Sequence, residues 1–140
     1  MPQLSSECKF TKVKDHSAAA TSAVNSDSVD MSGWDGVVFL TSFGTAATDN
    51  TANGATSSDD STFNDLLDTE TGATASDEDI WLDIYKPLER YLRLEVVRGT
   101  STTLESIWAI QYRGRKMPVD NTTTGTIIGE AHVSPAEGTA

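Results

Sequence analysis

The chain has 140 residues, 37% of them hydrophobic, which is the size and composition of one globular domain. Its net charge of −11 repels phosphate groups, so we expect neither nucleic acids nor anionic membrane surfaces as partners. No apolar run is long enough to cross a bilayer, and the first residues lack the apolar core of a signal peptide. Cys8 is the single cysteine, which excludes an intrachain disulfide and fits assembly in a reducing cytoplasm. We expect it to be an unreactive thiol.

The first half of the chain contains two predicted strands and a long acidic segment. Residues 1–16 are polar and predict an N-terminal arm, whereas the apolar patterns at 28–31 and 37–43 predict strands. Residues 44–79 contain no basic residue and are rich in Thr, Ala, Asn, Asp, Gly and Ser, so most of this segment is predicted to be loop. Within it, Thr62 could cap a short helix that ends before Gly72.

The second half alternates more clearly between apolar and polar residues. In the segment 80–85, Ile80, Leu82 and Ile84 fall on one face of a predicted strand and Trp81 on the other. Residues 91–98 and 104–113 predict two further strands, joined as a hairpin by the loop 99–103, and 126–128 predict one more. Residues 134–140 predict a C-terminal tail.

These short strands, with turn residues between them, predict an all-β fold. The expected architecture is an antiparallel β-sandwich or jelly-roll with a long acidic loop and extended terminal arms. Its divisions are an arm over 1–16, one sandwich domain over 17–133 and a tail over 134–140. A composition of 19 Thr and 15 Ser agrees with this class, because Thr suits pleated strands and Ser suits turns.

The sequence contains no recognisable catalytic or metal-binding pattern. His16 and His132 are far apart, which does not match the close spacing of zinc ligands. Neither a nucleophile elbow nor a phosphate-binding glycine loop is present. The acidic pair Asp59–Asp60 and the run 77–79 could hold calcium, but they lack the ligand spacing of an EF-hand, and solvated loop carboxylates are the simpler interpretation. We therefore expect a protein that is not an enzyme and uses no cofactor.

The candidate binding residues are basic or aromatic. If 91–98 and 104–113 form a hairpin, the start of the first strand lies beside the end of the second, which would gather their cations into a docking edge. The alternative is that neighbouring carboxylates neutralise these cations. Trp81 lies either in an interface with another protein or in the core. The predicted partner-binding residues are Lys9, Lys12, Lys14, Trp81, Arg90, Arg93, Arg113, Arg115 and Lys116.

Four runs, in order along the chain, resemble segments of small structural proteins of tailed bacteriophages. They are DMSGWDGVVF at 30–39, LDIYKP at 82–87 with RYLR at 90–93, IQYRGRKMP at 110–118, and SPAEGTA at 134–140. The family that they resemble is the head decoration, or cement, proteins. The resemblance implies a non-catalytic β-sandwich or jelly-roll, often trimeric, on the capsid exterior. It defines no set of binding residues that can be carried over.

This resemblance implies a virion protein, assembled in the host cytoplasm, that binds the major capsid protein from outside and stabilises contacts between capsid subunits. A homotrimer on the capsid is the expected assembly. Two alternatives stay open from the sequence. The first is a neck, head-completion or tail protein of the same virion, and the second is a carbohydrate- or host-binding β module that uses Trp34, Trp81 or Trp108.

Overall fold

The computed structural model describes residues 3–121 and 125–139. In this part of the chain, 43% strand and 3% helix confirm the predicted all-β antiparallel sandwich. The elements are α1 (Leu4–Glu7), β1 (Lys9–Lys14), β2 (Ser17–Ala20), β3 (Val24–Asn25), β4 (Val29–Asp30), β5 (Gly36–Ser42), β6 (Asn50–Ser57), β7 (Asn64–Asp65), β8 (Thr71–Ala73), β9 (Asp79–Tyr85), β10 (Tyr91–Val97), β11 (Thr102–Leu104) and β12 (Ile107–Tyr112). No helix among these described residues has the length and apolar character of a membrane span.

Two antiparallel sheets face each other across the core. The front sheet has the order β1-β12-β5-β9. In the back sheet, β10 lies between β6 on one side and the short strands β3 and β4 on the other, and β6 also pairs with β7 and β8. A separate pair, β2 with β11, completes the pairing of the described strands.

Strict alternation of side chains builds the core between these sheets. Phe39 in the front sheet and Leu92, Leu94 and Val96 in the back sheet are fully buried. Burial of each such side chain contributes about 1.5–3 kcal/mol, so these positions hold the two sheets together. The predicted inward face of β10 is confirmed, as is the inward position of Ile80.

The predicted hairpin between the last two long strands is wrong. β10 pairs with β6 in the back sheet, and β12 pairs with β1 and β5 in the front sheet. The chain crosses between the sheets over residues 98–106, where the buried Arg98 guanidinium donates hydrogen bonds to the carbonyl oxygens of Ala18, Ser22 and Thr102. A period-2 pattern shows which side chains point inward, but not which strand is the neighbour.

Most of the acidic segment 44–79 is loop, as predicted, but it also contains three strands and no helix at 62–67. β6 is the longest strand of the described chain at eight residues, and β7 occupies the place of the predicted helix. The buried residues of β6 are small or polar, and they include Asn50, Ala52, Ala55 and Ser57. Their lack of large apolar side chains hid the strand from a hydrophobicity pattern.

The terminal segments also differ from the sequence-based prediction. Within the predicted arm 1–16, β1 pairs with β12 as an edge of the front sheet. The strand predicted at 126–128 is wrong, since these residues form no strand and the Ile128 side chain is 94% exposed. A neighbouring part of the C-terminal segment holds β1: the Asn121 side chain accepts a hydrogen bond from the Phe10 N–H and donates to the carbonyl oxygens of Ser5 and Cys8.

Candidate docking surface

The outer face of the front sheet carries a group of exposed and half-buried aromatic and apolar side chains. In β9 the odd-numbered residues point away from the core, so the Trp81 side chain is 69% exposed and that of Tyr85 47%. The register places Trp108, Leu40 and Trp81 side by side on three adjacent strands. We call Leu40, Trp81, Tyr85, Trp108 and Tyr112 the outer aromatic face.

A shallow hollow of about 270 Å³ lies in this face between the two tryptophans. Leu40 lies between Trp81 and Trp108, and the rim adds hydroxyl groups and one carboxylate. The polar lining residues are Thr41, Ser42, Asp79 and Ser106. An apolar floor with a few polar groups is the usual composition of a binding pocket for a side chain or a small ligand.

Tyr112 makes the lower part of the face rigid. Its ring covers Gly36 so closely that a Cβ atom at position 36 would lie 2.2 Å from the Tyr112 Cζ. Its hydroxyl donates a hydrogen bond of 2.6 Å to the Asp83 carboxylate, and its ring meets that of Tyr85 edge to face at 6.5 Å. Burial, together with this hydrogen bond, raises the pKa of Tyr112 to about 12. The phenol therefore stays protonated and keeps Asp83 in place.

The C-terminal segment covers the other side of the same face. The Lys9 Nζ donates to the carbonyl oxygen of Asp120, and the Lys12 Nζ contacts both Asp15 and the Thr126 hydroxyl. Phe10 and Trp108 line a cavity of about 490 Å³ beneath Ile127 and Ile128. Two of the three lysines predicted to bind a partner, Lys9 and Lys12, therefore contact this chain's own C-terminal segment, and Lys14 is exposed.

The structure brings some of the predicted basic residues together and separates others. Arg90 and Arg115 line one recess of about 480 Å³ at the same end of the sandwich, although the hairpin that predicted their proximity does not exist. Arg90 makes a two-pronged ion pair with Asp30 at 2.9 and 2.8 Å, which lowers the pKa of that carboxyl, and Arg115 pairs with Asp35 at 2.6 Å. Because both arginines are paired with carboxylates, the recess carries little net positive charge.

The remaining predicted cations lie apart from that recess. The Arg93 guanidinium stacks over the Phe63 ring at 4.0 Å and pairs with Glu95 on the back sheet. Arg113 lies 5.8 Å from the centre of the Tyr85 ring, beside the outer aromatic face, and Lys116 is exposed. Neighbouring carboxylates neutralise several of the predicted cations, which was the alternative interpretation of the basic pattern.

Of the residues that the sequence suggested for metal binding or thiol chemistry, Asp59 is hydrogen-bonded within its own loop and Cys8 is buried. The Asp59 carboxylate accepts hydrogen bonds from the Ser61 and Thr62 N–H groups, which lowers its pKa. Burial raises the pKa of the Cys8 thiol. Among the residues that the structure describes, no three His, Cys, Asp or Glu side chains are grouped so that they could hold a metal ion.

The sequence pattern identified only part of the outer aromatic face. Trp81 was predicted on the strength of the alternation in β9. The alternation also placed Tyr85 on the same face as Trp81. Leu40, Trp108 and Tyr112 were not predicted to share this surface, because their proximity depends on the pairing of β5 with β9 and β12. One signal in the sequence could have identified Leu40 as part of this surface. It is an apolar residue at an outward position of β5, whose inward positions 37 and 39 are already apolar.

No family model matches the chain, and no curated protein matches it. Its fold is similar to that of two phage-derived proteins of known structure. PBSX exported protein XepA is 19% identical with a TM-score of 0.58, and the match covers 94% of this chain and 46% of XepA. SPBc2 prophage-derived protein YomS is 14% identical with a TM-score of 0.50, and the match covers 76% of this chain and 95% of YomS. The chain thus spans less than half the length of XepA, and at these identities the likeness shows the fold alone.

Proposed function

We propose that this protein is a non-enzymatic structural component of a phage virion that binds the outside of the capsid. There it would contact the major capsid protein and stabilise the contacts between capsid subunits. The observation that carries the proposal is the outer aromatic face, where Trp81 is 69% exposed on a strand held in a rigid sheet. The likeness of the fold to two phage-derived proteins supports a phage origin.

An exposed tryptophan on a sheet is a typical anchor for protein binding. Aromatic side chains are enriched in interfaces, and tryptophan dominates the energetic hot spots within them. Leu40, 38% exposed, and Tyr85, 47% exposed, extend the apolar area around Trp81. Because a capsid repeats its subunits symmetrically, one such contact per copy would be multiplied over the whole shell. We propose a homotrimer as the form bound to the capsid.

The abundance of the chain in virions tests this proposal. Quantitative mass spectrometry of purified particles would give its copy number relative to the major capsid protein. A ratio near one is expected for a shell-coating protein. A few copies per hundred capsid subunits, on the order of 1–5%, would instead indicate a neck or tail protein, because such parts occur once per particle. Complete absence from particles would overturn the virion role.

A pair of matched variants tests the proposed surface. Trp81→Ala removes the exposed anchor, whereas Leu67→Ala removes a side chain that is 89% exposed on the segment after β7. Loss of a central aromatic anchor typically costs 2 kcal/mol or more, so we expect Trp81→Ala to weaken binding to shells that lack this protein by roughly thirtyfold. Leu67→Ala should bind like the unchanged protein. Equal binding by both variants would place the contact elsewhere.

The hollow between Trp81 and Trp108 favours a second candidate function, the binding of carbohydrate. The two indole rings, with the hydroxyl and carboxylate groups of Ser42, Asp79 and Ser106, offer both stacking surfaces and hydrogen-bonding groups. Screening against immobilised glycans, with Trp81→Ala and Trp108→Ala as comparisons, tests this candidate. Binding that is lost in both variants would support it, and the absence of any bound glycan would rule it out.

A further inference from the structure

β9 offers an open edge to an incoming strand. It lies at the end of the front sheet, and within residues 3–121 and 125–139 it pairs with β5 alone over seven residues. The opposite edge, β1, is covered, because Asn121 occupies the Phe10 N–H and the Cys8 carbonyl. The outermost strands of the back sheet contain only two or three residues each. A long edge strand left open is a template for pairing with another chain.

Acidic residues predominate along the first part of this edge, whereas Lys86 follows its last residue, with the ammonium 5.4 Å from the Tyr85 ring. Asp79 and Asp83 point outward from β9 and are exposed, and Asp77 and Glu78 immediately precede the strand. In the described part of the chain, none of these four carboxylates takes part in an ion pair. The strand opposite an acidic strand is most stable when it places cations across from the carboxylates.

The surface next to the edge provides specific places for alternate side chains. The hollow of about 270 Å³ lies beside Trp81 on the outer face. The exposed Trp81 ring also offers a cation–π contact to a lysine or arginine that approaches along the edge. Strand addition uses main-chain hydrogen bonds for affinity and such pockets for specificity. The open backbone, the negative charge and the aromatic ring therefore favour one kind of ligand.

We propose that β9 binds a basic, extended segment of another protein, which adds to the front sheet as a fifth strand. A second copy of this chain does not fit, since antiparallel pairing of β9 with itself would bring the two sets of carboxylates together. The inference rests on the proposed function in one respect: the segment would come from the capsid shell. It deepens that function by naming the chemistry of the contact.

The first arm of the test uses a synthetic peptide and needs no virion. The probe is a blocked heptapeptide that alternates lysine with valine, titrated into the full-length protein and followed by amide NMR and hydrogen exchange. We expect shifts at β9 and slower exchange of the β9 amides that do not bond to β5. Two control peptides, one with glutamate in place of lysine and one methylated on its backbone nitrogens, should not bind.

The second arm compares two variants with equal changes in charge. Asp79→Lys with Asp83→Lys reverses the edge, and Glu70→Lys with Glu137→Lys makes the same change at exposed positions elsewhere. Thermal unfolding first confirms that both variants fold. We expect the edge variant to bind the peptide and the purified shells at least roughly tenfold more weakly, and the control to lose much less.

The outcomes separate this inference from the proposed function. If the unchanged protein binds shells and both variants bind them equally, the strand-addition proposal fails and the capsid role stands. If the peptide protects the β9 amides but the protein binds no shells, the open edge is a real binding site and the capsid role fails. Binding of the methylated peptide as tightly as its parent would falsify strand addition, because charge alone would then explain the affinity.

Discussion

At the scale of single residues, Asn121 joins the C-terminal segment to the first strand. Its side chain makes three hydrogen bonds, one from the Phe10 N–H at 2.9 Å and two to carbonyl oxygens at 2.7 Å. Because each net hydrogen bond contributes about 1 kcal/mol, we expect Asn121→Ala to lower the free energy of unfolding by about 2–3 kcal/mol. Urea unfolding measures this loss.

Asn64 provides the control for that substitution. It is an exposed asparagine in the two-residue strand β7, so Asn64→Ala should change the free energy of unfolding by less than about 0.5 kcal/mol. The rate at which a thiol reagent labels Cys8 gives a second measurement, because freeing the Cys8 carbonyl should loosen the turn that buries the thiol. Equal stability of the two alanine variants would show that Asn121 does not hold this segment.

Ionisation of Tyr112, a residue of the outer aromatic face, should make the free energy of unfolding depend on pH. Its folded-state pKa of about 12 lies above the value of about 10 expected in the unfolded chain. A raised pKa means that the stabilisation is complete below about pH 10 and is lost as the pH rises through about 12. We expect the free energy of unfolding to fall less steeply over this window in Tyr112→Phe than in the unchanged protein. Urea unfolding at several pH values measures this, and parallel pH profiles for the variant and the unchanged protein would show that the pKa of Tyr112 is not raised by folding.

At the scale of elements, the connection after β10 is locked against the loop before β6. The Gly99 N–H donates to the buried Asn50 side chain at 2.7 Å, and a Cβ atom on Gly99 would lie 2.3 Å from the Thr48 carbonyl oxygen. Since that contact is with backbone, Gly99→Ala should destabilise the fold by about 2 kcal/mol or more. At Gly72 in β8 the same atom would lie at 3.5 Å from the nearest neighbour, so Gly72→Ala should be tolerated. Thermal unfolding of the two alanine variants tests this prediction. Similar melting temperatures would show that the close contact of Gly99 with Thr48 does not stabilise the fold.

The elements also show which features a sequence pattern can predict. β9 and β10 were predicted because large apolar side chains alternate along them, and β5 because it is a continuous run of β-branched and aromatic residues bounded by glycines. β6 was missed because its inward positions are Asn, Ala, Gly and Ser, which pack well only beneath the large side chains of β9. A Cβ atom on Gly54, for example, would lie 2.8 Å from the Ile84 Cδ1. Such a strand is recognisable only once its neighbour is known.

Strand pairing explains the other errors of the sequence-based prediction. The hairpin and the basic patch both assumed that consecutive strands are neighbours, yet β10 and β12 lie in different sheets. The outer aromatic face depends on the same non-local pairing, so the sequence offered Trp81 and Trp108 as separate candidate binding residues and did not place them on one surface. Alternation determines the face on which a side chain lies, whereas long-range contacts determine which side chains share that face.

At the scale of the whole molecule, the acidic surplus is not cancelled by internal pairing. The chain has 21 acidic and 10 basic side chains. In the described residues, Lys12, Arg90, Arg93 and Arg115 pair with acidic partners. The open edge at β9 therefore lies on a molecule whose overall field is negative, which favours a basic partner at that edge over a second acidic strand.

We expect this field to make the proposed shell binding sensitive to salt. Surface charges separated by more than about 10 Å are screened at 0.1 M salt, so added salt should slow the association of the protein with shells while changing dissociation less. The variant with Asp79→Lys and Asp83→Lys should show a shallower dependence than the control with Glu70→Lys and Glu137→Lys. Its reversed charges lie at the contact, whereas those of the control alter only the distant field. Association rates at low and high salt measure the effect, and equal slopes for the two variants would mean that the β9 edge does not face the shell.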